Sequence, residues 1–173
     1  MSQLNKTKKV RRLAEIFSKL TSTAEVGQFL GISPHQLTLM AEFPAYRCFT
    51  IPKKNGGHRI IEDPQKNLKK TLQRLNDALQ CSYFCYKTHA AYGFLINPDD
   101  DPDPRNILTN AQKHIGKPWL LNVDYVDFFH SVSTHNVANL MLSDYFSFDE
   151  PTVSIPIVIE QGIPMQFAQL WIT

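Results

Sequence analysis

The chain has 173 residues, 43% of them hydrophobic, enough for one globular domain or a large piece of one. Lys+Arg 18 against Asp+Glu 16 leaves a formal charge of +2, so net charge alone argues for neither a nucleic-acid nor a membrane partner. Cys48, Cys81 and Cys85 form an odd set with no secretory apolar region or zinc-like Cys/His spacing, and no stretch reaches the ~20 apolar residues of a membrane span; these features exclude a disulfide scaffold, a zinc knuckle and a membrane helix, and favour a reducing, intracellular compartment.

The distribution of charge is more informative than its sum. Lys6, Lys8, Lys9, Arg11 and Arg12 make the N-terminus basic, and Lys53, Lys54, Arg59, Lys66, Lys69, Lys70 and Arg74 form a second basic stretch. The acids gather in Asp99-Asp100-Asp101-Pro102-Asp103. Segregation of this kind suggests a phosphate-facing side, the alternative being ordinary solvated helix faces.

In chain order, Val10, Leu13, Ala14, Phe17 and Leu20 recur at helical spacing. Ser22-Thr23-Ala24-Glu25 has capping-box form and leads into Val26, Phe29 and Leu30, closed by Gly31. Ser33-Pro34 opens another helix, carrying Leu37, Leu39, Met40 and Phe43. The pair has the outline of a helix-turn-helix, but only His35, Gln36 and Thr38 of the second helix could read bases, so packing is the favoured role.

Tyr46–Ile51 and His58–Glu62 read as strands joined by Lys53-Lys54-Asn55-Gly56-Gly57, a hairpin by its turn chemistry. A glycine-turned hairpin presenting Lys and Arg suits a polyphosphate. Pro64 opens a helix with Leu68, Leu72, Leu75 and Leu79 as its apolar stripe and Lys66, Lys69, Lys70 and Arg74 as candidate phosphate contacts on its other face. Asp103-Pro104 caps a further helix with Ile107, Leu108, Ala111 and Ile115 inward and Gly116 at its end. Leu120–Val123 is then an apolar run of strand character ending in Asp124, with Asp127 three residues later. A carboxylate ending a buried strand is costly unless paired or holding a metal, and two-metal phosphoryl transfer needs such a ligand. Thr134 begins an amphipathic helix through Val137, Leu140, Met141 and Tyr145.

Taken as an ordered set, these segments resemble bacterial reverse transcriptases of the retron and group II intron type. The matching stretches are Phe49–Ile61, Leu68-Lys69-Lys70 with Leu72-Gln73, Ala91–Phe94, Asn110-Ala111 with His114, Val123–Val132 and Gln161-Gly162-Ile163-Pro164. The likeness runs from about Phe29 to Pro164. Each piece is weak alone; their order and spacing make the set specific. Retron-type enzymes match best, and defence-associated relatives share the same blocks.

The resemblance implies an α/β (α+β) chain with right-hand polymerase architecture: a helical segment at 1–45, fingers at 46–116, the first part of the palm at 117–164, and a divergent tail at 165–173. It implies RNA-directed DNA synthesis on an RNA template and DNA primer from dNTPs, in the bacterial cytoplasm. Asp124 matches the first catalytic, metal-binding aspartate, and Tyr125 the residue lending a backbone carbonyl to a metal. Lys53 and Arg59 match the fingers residues that grip the triphosphate, and Phe129 the aromatic wall against a 2′-hydroxyl. Gln161 and Gly162 match the loop beside the nascent base pair, while Asp127 corresponds to a secondary, structural acid.

The sequence departs from the family after Pro164: it reads Met165–Thr173 where a Ser-Pro and a small-residue helix belong, and contains neither the Tyr-x-Asp-Asp hairpin nor the thumb. The expectation is a truncated or frameshifted gene or an expressed fragment. A two-Mg²⁺ site would be only partly encoded, because one carboxylate and a carbonyl cannot clamp two ions ~3.5–4 Å apart. A separate chain or downstream reading frame could supply the rest. The alternative is a non-catalytic nucleic-acid-binding remnant of such an enzyme.

Overall fold

The computed structural model describes residues 6–93, 95–124, 132–144, 146 and 148. Within them the order is α1 (Lys6–Ser18), α2 (Thr23–Leu30), α3 (Pro34–Glu42), β1 (Tyr46–Pro52), β2 (His58–Pro64), α4 (Lys66–Tyr86), α5 (Ile107–His114) and α6 (Thr134–Met141). The mixed helix and strand content agrees with the α+β reading.

Local chemistry sets most boundaries. The Ser22 hydroxyl accepts from the Glu25 amide at 3.4 Å, and the Glu25 carboxylate accepts in return from the Thr21 amide at 2.7 Å and the Ser22 amide at 3.3 Å. Hydrogen bonds from Thr21 hold this carboxyl below the ordinary glutamate range. Helix α2 ends at Gly31 with φ 70, a left-handed residue that any side chain would strain. Two residues on, Ser33 and Gln36 form a second capping box with Pro34 in the first turn of α3. Gln36 and Thr38 are thereby drawn into local bonds, the latter to the Pro34 carbonyl at 3.1 Å, which leaves α3 poorly equipped to read bases. Its packing is also partial: Ala41 is its one buried residue, and Leu39 and Phe43 are exposed.

The core is an aromatic knot. Phe17 of α1 is 1% exposed and lies against Phe29, Phe146 and Phe148 with ring centroids 5.4, 5.9 and 5.5 Å away. Ala78 and Leu79 of α4 and Ala138 and Met141 of α6 close around it, with Leu75 partly buried alongside. Thus α1, α4 and α6, far apart in sequence, share one apolar centre. Helix α6 is shorter than the periodicity predicts, starting from Ser133, whose hydroxyl accepts from the Asn136 amide, and ending at Met141.

Four expectations are corrected. Pro64 does not open α4: it is the last residue of β2, and Gln65 is the N-cap. Asp103 does not cap α5. It is bonded through both carboxylate oxygens to the Arg105 guanidinium, and Asn106 caps instead, accepting from the Thr109 amide at 3.0 Å. Nor does the apolar stripe of α5 face inward: the helix has no buried residue, and Ile107 is 90% exposed. An amphipathic pattern says which face prefers cover, not that cover is present. Finally, Leu120–Asp124 is irregular and exposed, with Leu121 at 84%, rather than a buried strand. A strand exists only through ladder bonds to a neighbour, and the sheet among the described residues consists of β1 and β2 alone.

The acidic run is not segregated from the basic N-terminus. Asp99 pairs with Lys6, and Asp100 accepts from the Thr7 amide at 3.0 Å and its hydroxyl at 2.8 Å, capping α1 from across the molecule. Asp101 is paired at 2.7 Å with Lys87, both side chains largely buried. Arg105, also buried, donates to the Thr88 carbonyl at 3.0 Å and lies over the Tyr92 ring. These bonds tie the long connection after α4 back to α1 and to its own start.

Candidate nucleic-acid interface

Strands β1 and β2 pair antiparallel in the register Tyr46↔Pro64, Cys48↔Glu62, Thr50↔Ile60 and Pro52↔His58, with Arg47↔Asp63, Phe49↔Ile61 and Ile51↔Arg59 between them. The turn closes by bonds from the Lys53 amide to the Gly57 carbonyl (3.0 Å) and from the Gly56 amide to the Lys53 carbonyl (3.2 Å). Gly56 and Gly57 sit at φ 83 and φ 80, backbone that favours glycine. Lys53, Lys54 and Arg59 are exposed around this tip, and among the described residues none of the three makes an ion pair. Free cations on a glycine-turned ribbon can swing onto an anion without first breaking a bond.

At the other end of the hairpin the cations are organised. Alternation puts Arg47, Phe49 and Ile51 on one face of β1, opposite Asp63, Ile61 and Arg59. The Arg47 guanidinium lies 5.1 Å from the Phe49 ring centroid and 3.5 Å from the Asp63 carboxylate, which also accepts from Lys69 Nζ at 3.1 Å. A cavity of about 550 Å³ opens between this base and the first turn of α4, lined by Tyr46, Arg47, Asp63, Gln65, Lys66 and Lys69. The Tyr46 hydroxyl is buried with no hydrogen-bond partner among the described residues, and burial raises its pKa.

Of the helix cations anticipated as phosphate contacts, Lys66, Lys69 and Lys70 are exposed on α4. Arg74 has a different partner: its guanidinium donates to the Leu30 carbonyl at the end of α2 and stands against Gly31, where an added Cβ would meet it. Asp124 closes an exposed irregular segment. Tyr125, Phe129, Gln161 and Gly162, like Asp127, lie outside the described residues. Among the described residues no three His, Cys, Asp or Glu side chains converge as a metal site. The carboxylate available from the anticipated ligands is Asp124, which by itself cannot hold two divalent ions, so no metal-dependent step is assigned to these residues.

Cys48 and Cys85 are exposed and Cys81 buried, all as free thiols; burial pushes the Cys81 thiol up to about 11. No helix among the described residues is long and apolar enough to cross a membrane. Arg47 is the residue that motif reading overlooked. Its signal was the two-residue alternation, which sets it on the same face as Phe49 and opposite Asp63.

No family model matches the chain, and no solved structure matches it significantly. Curated relatives do. The chain is 35% identical over 98 residues to the retron Mx65 reverse transcriptase of Myxococcus xanthus, covering 57% of this chain and 21% of that protein. It is 32% identical over 140 residues to the retron Mx162 reverse transcriptase of the same organism, covering 76% and 26%. The retron Ec86 reverse transcriptase of Escherichia coli is 33% identical over 98 residues, covering 53% and 27%. The chain therefore spans between a fifth and about a quarter of the length of these relatives. On this similarity, the chain is a partial relative of the retron-type reverse transcriptases.

Proposed function

We propose that the chain forms the fingers and the beginning of the palm of a bacterial, cytoplasmic RNA-directed DNA polymerase of retron type. The observation that carries this reading is the basic hairpin with a glycine turn, its Lys53, Lys54 and Arg59 exposed at the tip without an ion pair among the described residues, in a chain 30–35% identical over 88–140 residues to retron reverse transcriptases. In this reading Lys53 and Arg59 grip the triphosphate of an incoming dNTP by charge-assisted hydrogen bonds. Lys66, Lys69 and Lys70 meet the phosphates of the template–primer duplex. Phe129 walls off the 2′-hydroxyl, and Gln161 and Gly162 support the new base pair. Magnesium ions would activate the primer 3′-hydroxyl and neutralise the leaving pyrophosphate. Asp124 and the Tyr125 carbonyl would hold them only together with carboxylates from a further segment, supplied in the same chain or by a partner.

The test is to supply that segment, by fusion or as a second chain, and measure RNA-templated DNA synthesis. Asp124→Asn abolishes synthesis in the reconstituted enzyme, because the amide keeps the shape and loses the charge. Phe129→Ala leaves synthesis largely intact while admitting ribonucleotides, and Asp127→Asn costs much less than Asp124→Asn. Full activity in the Asp124 variant would remove the polymerase reading. Nucleic-acid binding without reconstitutable synthesis would leave the non-catalytic remnant.

A further inference from the structure

We propose that the cavity between the base of the hairpin and the first turn of α4 is a binding site for one phosphate group of a nucleic-acid strand. The proposal rests on the nucleic-acid reading above and adds a discrete site to it. Its wall carries three cations, Arg47, Lys66 and Lys69, against the single carboxylate of Asp63. Asp63 does not cancel this excess; it organises it. Its carboxylate is 3.5 Å from Arg47 and 3.1 Å from Lys69, so both cations are held at the cavity before any ligand arrives. Lys66 makes no ion pair among the described residues and is free to turn inward.

Two further features suit an anion rather than an apolar guest. The cavity sits at the N-terminal end of α4, a 21-residue helix whose N-cap Gln65 makes no side-chain cap bond and whose first turn holds no acid. Its first amides are thus left for an external acceptor, at the positive end of the helix dipole. Tyr46, whose hydroxyl is buried without a hydrogen-bond partner among the described residues, also lines this cavity. Phe49, half-exposed beneath Arg47 on the same face of β1, continues the surface from the cavity toward the tip. A strand whose phosphate enters the cavity would run along this face toward Lys53 and Arg59. The phosphate could be an internal phosphodiester or a 5′-terminal monophosphate, since both offer the anionic oxygens that the site recognises.

The experiment uses the full 173-residue chain and one short single-stranded RNA in 5′-phosphate and 5′-hydroxyl forms. Affinity is read by fluorescence anisotropy across a salt series. Arg47→Gln and Lys66→Gln should each weaken binding several-fold and lower the log–log salt slope by roughly 0.7. Asn67→Glu separates binding from folding: an acid in the first turn favours the helix, so melting temperature holds or rises while affinity and slope fall. Lys113→Gln on α5 should change neither. A 5′-phosphate preference that the Arg47, Lys66 and Asn67 variants abolish would mark a terminal phosphate; equal losses on both RNAs would mark a phosphodiester. Either supports the site. Variants that bind like the parent, or a Lys113→Gln loss as large as theirs, overturn the site but leave the nucleic-acid reading standing. Failure of the parent chain to bind RNA overturns both.

Discussion

Replacing Phe17 with alanine probes whether one aromatic residue joins α1 to α4 and α6. The ring is 1% exposed, so the full transfer free energy of the lost atoms counts. Phe→Ala in a closed core costs about 3–5 kcal/mol including the cavity it leaves. Two effects pull in opposite directions within that range. Loss of the edge-on contacts with Phe146 and Phe148 raises the cost, since aromatic pairs carry about 0.5–1.5 kcal/mol beyond area burial. Partial collapse lowers it, because Phe29 and Phe148 are only partly buried and can lean into the void. The two offset, and about 4 kcal/mol is the expected loss. For a chain of this size about 2–4 °C is lost per kcal/mol, so the melting temperature should fall by about 8–16 °C in far-ultraviolet circular dichroism. Phe17→Leu, which keeps most of the volume, should cost under about 1.5 kcal/mol. Phe43→Ala, at a 74% exposed position, should stay within about 0.5 kcal/mol. A Phe17→Ala loss no larger than that of Phe43→Ala would show that the aromatic knot does not organise the fold.

Three shorter predictions follow from particular bonds. The hydrogen bond from Arg105 holds the Asp103 carboxyl below its ordinary 3.8. A depressed folded value means stabilisation that is present above pH 3.8 and lost as the pH falls through the lower folded value. Asp103→Asn should therefore unfold more readily than the parent in urea at neutral pH, and the gap should close in acid; a gap independent of pH would refute the charge-based account. Arg74→Gln removes a donor from the α2 C-terminus and should cost about 0.5–1.5 kcal/mol without altering the salt slope of RNA binding. A shallower slope would return Arg74 to the interface. Lys70→Gln should show the reverse pattern, a slope lower by roughly 0.7–0.9 with unchanged thermal stability; an unchanged slope would place the phosphate path elsewhere.

Sequence by itself determined what short-range chemistry controls. Ser22 with Glu25 and Ser33 with Pro34 fixed helix starts, and Gly31 fixed a helix end, because capping bonds span three or four residues. Asn55-Gly56-Gly57 fixed the hairpin, because only a turn tolerant of positive φ closes those strands. The order of these elements, with the residues they carry, was also enough to reveal the resemblance to retron-type enzymes. Tertiary structure alone decided where long-range partners lie. Arg74 reads as one more cation on a basic helix face until α2 is seen to end beneath it. Asp99 to Asp103 read as an acidic cluster apart from the basic residues until α1 and Lys87 arrive beside them. Leu120–Asp124 has strand composition, yet a strand is a relation between two segments, and the second is not among those described. Residue type states which bonds a side chain can make; which of them it makes depends on neighbours that the fold brings from elsewhere in the chain.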